Sequence, residues 1–142
     1  MGNLGTNMEN MNAPIEVRSG TAGLTPDFQA RVDEALARTP PNAEAFHQLG
    51  LEAGRAGDGT QALELLSRAA ELEPANAAYF VSIARLLAAE TMFNQAAVAY
   101  LRAQELAADD PLVLAELASV LRSLNREEDA LAVLRQRDAI AR

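Results

Sequence analysis

The sequence contains no cysteine, no lysine and no tryptophan, and its single histidine is His47. Each absence removes a class of chemistry. Without cysteine there is no disulfide framework, no thiolate zinc site and no thiol nucleophile. Without lysine there is neither a P-loop lysine nor a Schiff-base amine. One histidine cannot build a multi-histidine metal centre, and no cofactor-binding motif stands out. Aromatic residues make up only 4% of the chain, and no apolar run reaches the roughly 18 residues that a membrane span needs. Positive charge is in deficit: 12 arginines face 20 acidic residues, for a net charge of -8 and a pI near 4.6. That balance disfavours nucleic acid and anionic membrane surfaces as partners. The amino terminus has no basic start followed by an apolar stretch, so a secretory signal is not expected. The expected location is cytoplasmic, with the periplasm open if an upstream signal has been removed.

What is present is alanine and leucine. Of 142 residues, 30 are Ala and 20 are Leu, and 49% are apolar. Such a composition, poor in β-branched and aromatic residues, predicts a soluble all-α protein whose helices pack closely. The lysine-free, Ala/Arg-rich usage also suits a GC-rich bacterial genome. Residues 1–25 differ, with four Gly and four Asn and no helical period; they are expected to form a flexible tail. Met1-Gly2-Asn3-Leu4-Gly5-Thr6 formally fits a myristoylation pattern, but that pattern is short and common, and a disordered start is the preferred reading. A first helix is expected from Pro26 to Arg38, capped by Thr25 or Asp27 and ended by Pro40-Pro41, with Phe28, Val32, Ala35 and Leu36 on one face.

From Ala43 onward the sequence repeats at a period of 34 residues. That shift aligns Phe46, Phe80 and Leu114; Leu49, Ile83 and Leu117; Gly50, Ala84 and Ala118; and Ala53, Leu87 and Leu121. It also aligns Ala62, Ala96 and Ala130; Leu66, Tyr100 and Leu134; and Leu72, Leu106 and Ile140. Each period reads as two amphipathic helices around a turn: 43–56 and 60–72, 77–90 and 94–107, 111–124 and 127–140. Gly57-Asp58-Gly59 and Asn125 supply turns inside the periods, while Pro74 and Pro111 separate one period from the next. Gly50, Ala84 and Ala118 are expected to meet Ala62, Ala96 and Ala130 where paired helices cross. A larger side chain there would cost roughly 1–3 kcal/mol.

The period and its column chemistry resemble the tetratricopeptide repeat (TPR). The first copy carries Phe46, Leu49-Gly50, Gly57-Asp58, Ala62, Leu66, Ala69 and Pro74. The second keeps Phe80, Ala84, Ala96, Tyr100 and Ala103 but has Ala108 where Pro is usual. The third keeps Leu117, Ala118, Ala130 and Leu134 but has Arg137 where a small Ala is expected. The resemblance implies an α-solenoid of antiparallel helix pairs, a right-handed superhelix of about seven helices. Its units would be a capping helix or half-repeat at 26–40 and repeats at 43–76, 77–110 and 111–142. The half-repeat reading rests on Ala35-Leu36 followed by Pro40-Pro41-Asn42. At the carboxyl end, Arg135, Arg137, Asp138 and Arg142 suggest a self-solvated last helix; the alternatives are stacking on another chain or a further part of a longer protein.

In this family the first helix of each pair lines the concave face. The residues there, free of packing columns, are Glu44, His47, Gln48, Leu51 and Arg55, then Ala78, Val81, Ser82, Arg85 and Ala89, then Leu112, Ala115, Glu116, Ser119 and Arg122. Leu51, Val81, Leu112 and Ala115 would form an apolar strip beside the arginines and the His47-Gln48 pair, suited to an extended or helical peptide. Arg55, Arg85 and Arg122 can equally pair with Glu52, Glu90 or Glu116 on their own helical surfaces. TPR modules that grip acidic chaperone tails use Lys, Asn and Arg on this face. The matching His47, Leu51, Ser82, Leu112 and Glu116 are none of these, so no such clamp is expected. His47 with Glu44 lacks a convergent nucleophile and reads as groove-lining. Asp109-Asp110 and Glu127-Glu128-Asp129 lie where helices begin and read as capping acids rather than metal ligands. The expected function is therefore a non-enzymatic scaffold or adaptor that binds a peptide or protein. The alternatives are an accessory domain of a larger bacterial enzyme such as a glycosyltransferase, a homo-oligomeric scaffold joined through the last hairpin, or a type III secretion-type chaperone.

Overall fold

The computed structural model describes residues 24–140. Residues 1–23 of the expected tail, with the myristoylation pattern, lie outside these residues, as does Arg142, while Thr25 at the tail's expected end belongs to the start of the first helix. Seven helices follow in order: α1 (Pro26–Ala37), α2 (Ala43–Arg55), α3 (Gly59–Leu72), α4 (Ala77–Ala89), α5 (Phe93–Leu106), α6 (Pro111–Ser123) and α7 (Glu127–Ile140). No strand forms among the described residues.

Local chemistry explains where the helices start. Thr25 Oγ1 accepts from the Phe28 amide at 3.1 Å, and Pro26 occupies the first helical turn, where its missing N–H costs nothing. Asn42, Asn76 and Asp110 begin α2, α4 and α6; each side chain accepts a backbone N–H, from Ala45 at 3.2 Å, Ala78 at 3.1 Å and Leu112 at 3.0 Å. These three caps are spaced by one period and form a column beside those read from the apolar residues.

The turns inside the hairpins share one hydrogen-bond pattern. The amides of Asp58, Met92 and Arg126 reach back to the carbonyls of Ala53, Leu87 and Leu121 at 3.0, 2.8 and 2.9 Å. Gly57, Thr91 and Asn125 lie at φ values of 91°, 59° and 60°. This is the Schellman arrangement, in which one left-handed residue closes the helix. Glycine and asparagine tolerate that conformation; a β-branched threonine is strained in it. The next helix is capped in the first hairpin only by a buried Asp58, which accepts from the Gln61 amide at 3.0 Å. Met92 offers α5 no side-chain cap.

The helices pack as an all-α solenoid. The closest pairs are α2 with α3, α4 with α5 and α6 with α7; α3 then packs on α4 and α5 on α6, while α1 rests on α2. Buried apolar residues form two clusters, one from α1 to α4 around Phe28, Phe46 and Tyr79, the other from α4 to α7 around Tyr100 and Leu117. One packing expectation needs correction. A Cβ at Gly50 would lie 2.8 Å from Leu66 Cγ and Cδ2 and 3.2 Å from its backbone nitrogen, so Gly50 faces Leu66 and not Ala62. Ala62 instead faces Gly54, whose Cβ would stand 3.8 Å from that of Ala62. The crossing is displaced by about one helical turn because the bulk of Leu66 fills the space that Gly50 leaves.

Candidate functional site

The residues read as groove-lining sit on α2, α4 and α6, three helices linked by side-chain bonds from one hairpin to the next. Between α2 and α4 the link is a polar cluster around His47. Its Nε2 lies 2.8 Å from Ser82 Oγ, and its ring stacks obliquely on Tyr79 with centroids 4.8 Å apart. Tyr79 donates to Glu44 Oε1 at 3.2 Å, and Gln48 donates to the other oxygen of the same carboxylate. The Gln48 bond foremost, helped by His47 and Tyr79, holds Glu44 below the usual carboxylate range. Burial, with the charges of Glu73 and Glu44, pushes Tyr79 up to about 12.

Ser82, His47 and Glu44 fall in the order nucleophile, base and carboxylate. They do not form a catalytic triad. His47 Nδ1 is buried without a hydrogen-bond partner, 3.6 Å from Glu44 Oε1. Ser82 lies mid-way along α4, where the backbone N–H groups are committed to the helix and none is aimed at a developing oxyanion. The cluster joins two hairpins.

Between α4 and α6 the link is ionic. Arg85 Nε and Nη2 each donate at 2.9 Å to one oxygen of Glu116, and Tyr100 donates to the same carboxylate at 2.8 Å. Arg85 foremost, then Tyr100, keeps Glu116 below the usual range; burial and Glu116 push Tyr100 far above its own. A second bidentate pair ties α1 to α2, with Arg31 reaching Glu52 at 2.9 and 2.6 Å. The expected arginine pairings within single helices are thus replaced by pairings between elements. Arg85 chooses Glu116 over Glu90, Arg122 lies 3.4 Å from Glu127, and Glu52 is taken by Arg31. Glu116 also lines the wall as half of a neutral pair.

These bonds leave an apolar remainder. Leu112 is 56% exposed, while Leu51, Val81 and Ala115 are half-buried. Gln48, Arg55, Ser119 and Arg122 are exposed beside them, and the half-buried Ser82 holds His47. Tyr79, Tyr100 and Arg31, which bond the carboxylates of Glu44, Glu116 and Glu52, do not stand out in the sequence as site residues. The ring of Tyr79, not Phe80, is the more deeply buried, and only the neighbouring hairpin's position reveals that. Among the described residues no group of three potential ligands could hold a metal ion. A hollow of about 710 Å³ lies over α3, bordered by Leu36, Leu63 and Met92, and one of about 600 Å³ lies between α1 and α2 at the edge of the wall, bordered by Arg31, Arg38, Ala45 and Gln48. No described helix is long and apolar enough to cross a membrane.

No protein-family model matches the chain, and no curated protein matches its sequence. Solved structures of MamA are similar to it. One crystal structure of MamA protein superposes with a TM-score of 0.74 at 14% identity, covering 80% of this chain and 61% of that one. A second gives 0.71 at 20% identity, covering 80% of this chain and 66% of the other. MamA AMB-1 gives 0.69 at 22% identity, with 79% and 61% covered. The chain therefore spans about three fifths to two thirds of the length of these neighbours. At such identities the likeness concerns the fold: an all-helical, TPR-like solenoid.

Proposed function

We propose that this TPR-like solenoid is a non-enzymatic protein-interaction scaffold, and that a peptide or protein segment binds along the α2–α4–α6 wall. In this reading α1 is a half-repeat cap, and the hairpins α2–α3, α4–α5 and α6–α7 are the three repeats. Register supports the cap: Ala35, Pro40 and Asn42 stand one period before Ala69, Pro74 and Asn76. In the column of Ala62, Ala96 and Ala130, α1 carries the buried ring of Phe28, bulk where the other helices keep space for a crossing partner.

One observation carries the binding proposal. The wall ties His47 to Ser82 and Arg85 to Glu116 between hairpins, and between the exposed Gln48, Arg55, Ser119 and Arg122 it leaves the strip of Leu51, Val81, Leu112 and Ala115. An apolar face held by inter-repeat bonds is pre-ordered for a partner's apolar side chains, which reduces the ordering cost of binding. The experiment starts from a partner captured with the wild-type chain and identified. Binding of that partner to a Val81→Ser/Leu112→Ser variant is then measured by calorimetry. We expect at least a tenfold loss, about 1.4 kcal/mol, with helicity unchanged. Binding at wild-type affinity would overturn the wall as the site. Arg85→Ala serves as the comparison: its loss opens an inter-repeat bond and lowers stability as well as affinity.

A further inference from the structure

The four helices α1, α3, α5 and α7 share a column at the 34-residue period: Ala35, Ala69, Ala103 and Arg137. The first three are followed by another hairpin, and all three are buried, at 8%, 0% and 0% exposure. All three lie on helices against which the next helix, α2, α4 or α6, packs. Arg137 puts a guanidinium in that place. Its Nε and Nη2 reach Asp138 Oδ1 at 3.2 and 2.9 Å, a neighbour's carboxylate on the solvent side. The rest of the α7 face remains suited to packing: Val133 and Leu134 are half-buried, and Ile140 is 38% exposed in the column of Leu72 and Leu106. Ala130 is the single fully buried residue of α7.

We propose that Arg137 is a stop residue for the solenoid. It prevents a further helix hairpin, whether from the same chain or from a second copy, from seating on α7 in the geometry by which α4 seats on α3 and α6 on α5. The reason is steric and electrostatic together. A hairpin seated in that geometry would bury a long cationic side chain where the other interfaces bury a methyl group, and would strip it of water without supplying a carboxylate in return. The apolar neighbours alone would favour stacking, so the arginine decides the outcome.

Repeat addition tests this directly. A second copy of residues 75–110 joined after Arg142 keeps the 34-residue period and offers α7 a hairpin whose fit to such a face is already seen in α4 on α3. Two such chains are compared by thermal unfolding, one with Arg137 and one with Arg137→Ala. The unextended Arg137→Ala chain serves as the control for the substitution itself. We expect the extended Arg137→Ala chain to unfold in one transition about 5 °C or more above that control, as nearest-neighbour coupling requires. The extended Arg137 chain should keep the unextended midpoint, with the added hairpin melting separately and earlier. Identical behaviour of the two extended chains, whether both gain or neither does, would overturn the proposal.

Discussion

The second hairpin turn can be rebuilt from the first. In the first, Gly57-Asp58 combines a residue at ease in the left-handed region with a buried carboxylate that caps α3. In the second, the equivalent pair is Thr91-Met92, a threonine at φ 59° followed by a side chain that caps nothing. The double substitution Thr91→Gly/Met92→Asp should therefore stabilise the protein. Relieving a left-handed β-branched residue returns about 1–2 kcal/mol, from which the greater freedom of glycine in the unfolded chain takes back about 0.5–1 kcal/mol. An added cap contributes about 1 kcal/mol, and aspartate also favours the positive end of α5. Met92 is 40% exposed, so little apolar burial is lost. The sum is roughly 1–2.5 kcal/mol, or about 4–15 °C in a domain of this size. Denaturant titration followed by circular dichroism, on both single variants and the double, reads each part. The reciprocal Gly57→Thr isolates the backbone cost, because a Cβ at Gly57 meets nothing within 4 Å; it should lose about 1 kcal/mol. A double variant no more stable than wild type would refute the reasoning, and an unchanged Met92→Asp alone would show that the α5 amides already have partners.

Three further outcomes follow from the packing and the ionisation. Gly50→Val drives side-chain atoms into Leu66 and its backbone, and should cost at least about 2 kcal/mol by denaturant titration despite the helix propensity that glycine lacks. Glu116 is depressed in the folded state by Arg85, so its contribution is complete above the unfolded carboxylate value of 4.5 and is lost as pH falls from there through the lower folded value. Glu116→Gln should flatten that part of the stability–pH curve, and an unchanged slope would count against the Arg85 bond. Tyr79 and Tyr100 are the only tyrosines; with Tyr79 near 12 and Tyr100 higher, their ultraviolet titration should show little ionisation at pH 10 while the helices persist. Stability should then be complete below pH 10 and decline as pH approaches 12, and half-ionisation near 10 in the folded protein would contradict the burial of both rings.

Much of the architecture was legible because its causes are short-range. Helix starts follow from Thr25 and Asp110, each beside a proline, and the period follows from columns that recur without insertion. Gly57 and Asn125 announced their turns; Thr91 did not, because threonine favours extended backbone and is held left-handed by the Schellman bonds around it. The wall was less legible. Arg85 and Glu116 read as two separate groove positions, and their bidentate bond emerges only when α6 is set beside α4. The same holds for His47 and Ser82, which are 35 residues apart, and for Gly50, which meets Leu66 in place of Ala62.

Composition and periodicity thus sufficed for the helices, their order and their amphipathic faces, since these depend on hydrogen bonds within a few residues and on a 3.6-residue repeat. Which polar side chains are consumed between hairpins, and which apolar ones stay open, depends on the offset and angle at which one hairpin stacks on the next. That offset is a compromise among all the buried side chains of both hairpins, and no local stretch of sequence encodes it.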